Sequence, residues 1–221
     1  MSPCIELGVR KRSRMFSFLR RKPRIGGLIA HLGLTDWWEN SLTAEERATV
    51  LARYRPLGDN SQSLIVGDIL HTSQSPLHLL WGLASWFKKP EDWAISIKVF
   101  EQGKRLIPSS SVIDQHFFHQ ARIEFFYRMR DHHTNALAFA EAACADQIAI
   151  APQAARELAK QQDGELPSHH GFWQLAVLLE KQGRLVEAVD VCRAAQAGGW
   201  PGDWIARADK LNKKVSRLQG V

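Results

Sequence analysis

The chain has 221 residues and a mass of 25.0 kDa, with 45% hydrophobic and 24% charged side chains. That is ordinary globular composition, long enough to bury a core in one domain with or without an appendage. The formal charge of +6 is concentrated at one end, no run approaches the ~20 apolar residues of a membrane span, and the three cysteines (Cys4, Cys144, Cys192) lie too far apart for a disulfide framework or a paired-cysteine metal site.

Residues 1–24 form a basic head: Arg10, Lys11, Arg12, Arg14, Arg20, Arg21, Lys22 and Arg24 face one acid, Glu6, so the rest of the chain is close to neutral. Its apolar residues (Phe16, Phe18, Leu19) are too few for the ~7–15-residue apolar core of a secretory signal. With the cysteine pattern, this points to a reducing, cytoplasmic setting. Met15 is an alternative start, which would remove four of the eight cations. The head is expected to be a solvated tail with no folded role for residues 1–14.

Residues 25–74 read as an irregular segment with one helix. Thr43-Ala44-Glu45-Glu46 is a capping box for that helix, which ends before Pro56. Gly26-Gly27 reads as a helix stop, and the adjacent Trp37-Trp38 lies outside any clean periodicity, as does Trp200. Among the tryptophans these are the ones for which an exposed, partner-facing role competes most with core packing.

From residue 75 to 221 the chain reads as helix after helix. Ser75-Pro76 starts a helix through Trp81 and Trp86. Lys88-Lys89-Pro90 breaks it, and a second helix runs to about Leu106 with Trp93, Ile97 and Phe100 on one stripe. Ser111, with Asp114 three residues on, caps a long helix to about Met129. Asp131-His132-His133 is a turn, Thr134 starts an alanine-rich helix, and Pro152 opens a short one. Ser168 is expected to cap a helix over about 171–182, which turns at Gly183 into another that stops at Gly198-Gly199. A basic helix carrying Arg207, Lys210, Lys213, Lys214 and Arg217 closes the chain. Trp81, Trp86, Trp93 and Trp173 fall on apolar stripes and read as core.

The stretch from Phe172 to Ala195 resembles a tetratricopeptide repeat. Phe172 opens the first helix, small residues Ala176 and Ala188 stand where the two helices cross, Gly183 occupies the turn, and Ala195 and Pro201 follow in the family's places. The hairpins 76–106 and 112–150 match more loosely. Leu34-Thr35-Asp36-Trp37-Trp38, Thr72-Ser73-Gln74-Ser75 and Trp86 to Asp92 are similar to wording in uncharacterised bacterial tetratricopeptide-like proteins. The resemblance implies an all-α fold, a right-handed solenoid of stacked helical hairpins, and a cytosolic setting. It implies no activity. It also implies a concave groove lined by the first helices, faced by His170, Trp173, Val177, Glu180 and Lys181.

Candidate chemistry is sparse. Asp114, His116 and His119 could share an ion only if further ligands joined them, and they flank Phe117-Phe118, so they read as structural. Asp131-His132-His133 lacks the additional Asp clusters of a phosphoesterase. His169-His170 beside Ser168 lacks a nucleophile elbow, and no glycine run is followed by Lys-Ser or Lys-Thr to cradle phosphate. The expectation is therefore a non-enzymatic module with no cofactor and no metal, binding a protein or peptide partner. The competing expectation is a nucleic-acid-associated or phage-type accessory protein acting through its basic termini.

Overall fold

The computed structural model describes residues 25–56, 61–161 and 164–219. The basic head and the alternative start at Met15 lie outside them. Among the described residues every regular element is helical.

The segment 25–74 holds three α-helices where one was expected: α1 (Gly27–His31), α2 (Thr35–Asn40) and α3 (Ala44–Arg53). The first two are too short for a 3.6-residue period to register, and tertiary contacts hold them. The Gly26 and Gly27 amides donate to the Ile65 and Gly67 carbonyls at 2.8 and 2.7 Å. Gly26-Gly27 thus opens a helix rather than stopping one. Gly27 sits at φ 60°, and a Cβ there would lie 2.4 Å from the Ser63 carbonyl oxygen. The α3 capping box is present as the spacing predicts, with Thr43 Oγ1 accepting from the Glu46 amide and Glu46 Oε2 accepting from the Thr43 amide.

Eight further helices follow: α4 (Pro76–Ala84), α5 (Trp93–Leu106), α6 (Val112–Arg128), α7 (Ala136–Ala149), α8 (Ala151–Gln161), α9 (His170–Lys181), α10 (Leu185–Ala197) and α11 (Trp204–Gln219). Helix α4 packs on α5, α6 on α7, and α9 on α10; α4 also meets α6, α6 meets α9, and α11 lies along α10. Helix α8 is an extra element seated on α6. Ser75 and Ser111 cap α4 and α6 by accepting from the His78 and Asp114 amides at 3.0 and 3.1 Å. Ser168 does not cap α9. Its neighbour His169 does, Nδ1 accepting from the Phe172 amide at 3.3 Å, because the helix begins one residue later than Ser168 would require.

The N-terminal segment is tied to the hairpins by charge as well as by apolar contact. Arg53 at the end of α3 binds both oxygens of the buried Asp92 carboxylate, and Lys98 on α5 donates to Glu46 at 2.8 Å. Of the two readings open for Trp37 and Trp38 the structure takes core packing, and Trp37 Nε1 donates to the Lys98 carbonyl at 3.2 Å. Trp200 is buried too. Conversely Trp86, expected in the core, is substantially exposed and meets Tyr54 edge-on, while Trp81 and Trp93 are half-buried. Trp37 and Trp38 on the short helix α2, and Trp200 in the turn before α11, are buried because tertiary packing covers them, whatever their local period.

Two apolar clusters make the core. One joins α1–α7 with Leu178 of α9, the other joins α8–α11 with Val112 of α6, and Leu175 packs against both. Ala176 and Ala188 are fully buried within the second, at the α9–α10 contact. Ala188→Leu should therefore overpack it and destabilise by about 2 kcal/mol in urea denaturation. An unchanged midpoint would mean that the two helices do not meet at these residues.

Candidate functional site

The outer face of α9 is set by helical spacing: Trp173, Val177 and Lys181 stand at i, i+4 and i+8, with His170 and Glu180 beside them. The opposite face, Phe172, Ala176 and Leu179, fills the core. Trp173 is 50% exposed. It is not the core residue its stripe position suggested. The Arg207 guanidinium of α11 lies 4.7 Å over its ring, and Trp204 meets it edge-on at 6.3 Å.

The remaining expected residues divide between two neighbours. Lys181 reaches across to α6, where its Nζ donates to the Tyr127 hydroxyl at 2.9 Å and holds that phenol below its ordinary range. Arg130 sits over the same Tyr127 ring at 4.5 Å. Glu180 faces α11 and accepts from Arg207 Nη2 at 3.0 Å and from Lys214 Nζ. Those contacts, led by the Lys214 hydrogen bond, keep its carboxyl below the usual range. Glu180 is thus a tether for α11. Val177 and His170 are half-buried, and burial lowers the His170 pKa.

Between the start of α9 and α11 opens a cavity of about 770 Å³, lined chiefly by His170, Trp173, Asp203, Trp204, Arg207 and Lys210. Trp204, Ala206, Arg207 and Lys210 of this lining come from α11, some thirty residues along the chain from α9. No local spacing links the two helices, and the only hint in the sequence was the excess of cations in the last helix.

The histidines do other work. Asp114 accepts from Ser75 Oγ and Ser111 Oγ at 2.8 and 3.0 Å, so it joins two helix starts. His116 is fully buried and stacks on Trp200 with the planes 5° apart. The Gln147 side chain beside it donates to the His116 carbonyl at 2.9 Å and accepts from the Gly171 amide at 2.7 Å, linking α6, α7 and α9. His119 Nδ1 lies 2.9 Å from Arg122 Nη1, and Arg122 donates to Asp146 at 2.7 Å. Since arginine only donates, His119 Nδ1 is the acceptor and its proton sits on Nε2. Burial pushes His116 and His119 down to about 4 and His169 down to about 3, with the neighbouring Arg122 adding to the effect at His119 and His116 adding to it at His169. Asp114, His116 and His119 are not brought together, and among the described residues no three His, Cys, Asp or Glu side chains converge on one point. His133, in the Asp131-His132-His133 turn, stacks on Trp93 at 3.9 Å. The Cys144 thiol is buried and pushed up to about 12, which leaves it without thiolate reactivity.

No helix of the described residues is long and apolar enough to cross a membrane. No protein-family model matches the chain, and neither a curated protein nor a solved structure matches it.

Proposed function

We propose that the protein is a non-catalytic interaction module, a stack of tetratricopeptide-like hairpins whose α9 face captures another protein. The observation that carries this reading is Trp173, a large ring left half exposed on α9, with Arg207 of α11 over it and Lys181 two turns further along the same face. Rigid aromatic anchors flanked by arginine are the residues that dominate protein interfaces. The successive contacts α4 to α6 to α9 agree with hairpins that present their first helices side by side.

The test uses Trp173→Ala. Because half the ring is already in solvent, the replacement should cost about 1–2 kcal/mol, well under the ~3–5 kcal/mol of a core tryptophan. The folded variant should then fail to retain protein partners that the wild type captures from its source cell. A loss of stability in the core range, or capture of the same partners by the variant, would remove Trp173 from the interface. If the captured material is nucleic acid released by added salt, the charge-driven reading through the basic helix replaces this one.

A further inference from the structure

We infer that the partner seated between α9 and α11 is an acidic peptide segment that lays an apolar side chain on Trp173 and directs carboxylates at Arg207 and Lys210. This inference rests on the reading of α9 as a protein-binding face and specifies what that face accepts.

The first observation is charge. Along this face the cations Lys181, Arg207, Lys210 and Lys214 outnumber the acids Glu180 and Asp203. Glu180 is already shared between Arg207 and Lys214, and Lys210 has no ion-pair partner among the described residues. His170 adds no charge near neutral pH, because burial favours its neutral form. The α9–α11 face therefore carries a net positive charge, and Lys210 brings an unpaired cation into the cavity beside the apolar Trp173 platform.

The second observation is the state of Arg207. Its side chain is only 17% exposed and is held in place by Trp173 on one side and Glu180 on the other. Nη2 donates to Glu180, while Nε is buried without a partner. A guanidinium fixed in this way has lost most of its rotamer freedom before any ligand arrives, so a carboxylate meets preorganised donors.

The third is shape. The cavity is bounded by the start of α9, the 201–203 turn and α11 and is open to solvent, which leaves room for a peptide segment to pass between the two helices. A basic partner would add to the positive excess already present, and a purely apolar one would leave Lys210 and Arg207 unused.

The experiment is fluorescence anisotropy with three labelled probes of equal length. They are a Glu/Asp-rich peptide with one central Phe, its counterpart with every acid replaced by Lys, and a single-stranded oligothymidylate. The acidic peptide should bind the full chain saturably and the lysine peptide should not. Lys210→Glu, at an exposed position that makes no hydrogen bond to Glu180, should weaken the acidic peptide at least tenfold. Replacing the central Phe with Gly, or Trp173 with Ala, should weaken it by a similar factor. Failure of the acidic peptide to bind, or binding indifferent to Lys210→Glu and Trp173→Ala, overturns the inference. If the lysine peptide binds instead through Trp173, the face is a protein site of the opposite charge preference, and only the partner class is wrong. If the oligothymidylate binds through the same residues, both this inference and the protein-binding reading fail.

Discussion

Lowering the pH from 7 to 4.5 should strip several kcal/mol from the stability of this fold. His116, His119 and His169 are buried, and burial holds them at about 4, 4 and 3 in the folded chain, against 6.5 for an exposed imidazole. Above pH 6.5 each is neutral in both states and stability does not depend on it. As the pH falls below 6.5 the unfolded chain takes up protons that the folded one refuses, so stability is lost continuously down to the folded values near 4. For His116 alone the loss by pH 4.5 is about 2–3 kcal/mol. The three together would remove on the order of half the 5–15 kcal/mol of an ordinary domain. His119 is opposed by Arg122 and Lys104 and helped by Asp146, while His169 faces His116 and His170, so no neighbour of either restores an ordinary value. Urea midpoints at pH 7.5, 6.0 and 4.5 measure the slope directly. His169→Asn keeps an N-cap for α9 and should flatten the slope between pH 6.5 and 4.5 even if it lowers stability overall. A midpoint constant across that range would show that these rings reach solvent in the folded state.

Replacing Gly103 with alanine should destabilise the protein by about 3 kcal/mol, although helix propensity alone gives a gain of about 1 kcal/mol. Gly103 lies inside α5 and is buried where that helix meets α6. A Cβ there would stand 2.2 Å from Cε2 and 2.4 Å from Cζ of Phe118. That ring is fully buried, meets Phe100 edge-on at 6.0 Å and has Arg122 over it at 5.8 Å, so it has nowhere to turn. The opposite signs make the test decisive: denaturation of Gly103→Ala either falls well below the wild type or rises above it. A rise would mean that α5 and α6 stand further apart than the Gly103–Phe118 contact requires. Phe118→Leu in the Gly103→Ala background should recover part of the loss by opening room for the new methyl group.

The acid sensitivity and the Gly103 contact share an origin that marks the boundary between what was legible in the sequence and what was not. Local physics determined α3 and the helices from Pro76 onward: Ser75 and Ser111 as caps, the Thr43–Glu46 box and the stop at Gly198-Gly199 all follow from interactions within a few residues of chain. Periodicity also placed Trp173, Val177 and Lys181 on one face of α9. It could not say whether that face was covered. Trp173 has the spacing of a core residue and is half exposed, whereas Trp37, Trp38 and Trp200 have no helical spacing and are buried. Burial of a ring depends on which distant element covers it, and such pairing leaves no trace in a short window. The same holds for the cavity, whose Arg207 and Lys210 arrive on a helix far along the chain, for Glu180, which tethers α11, and for α1 and α2, short helices held by the Ile65 and Gly67 carbonyls and by the Trp37–Lys98 hydrogen bond. Helix formation here was determined within a few residues of chain; the covering of each face, and with it the composition of the binding site, was decided only when the helices packed.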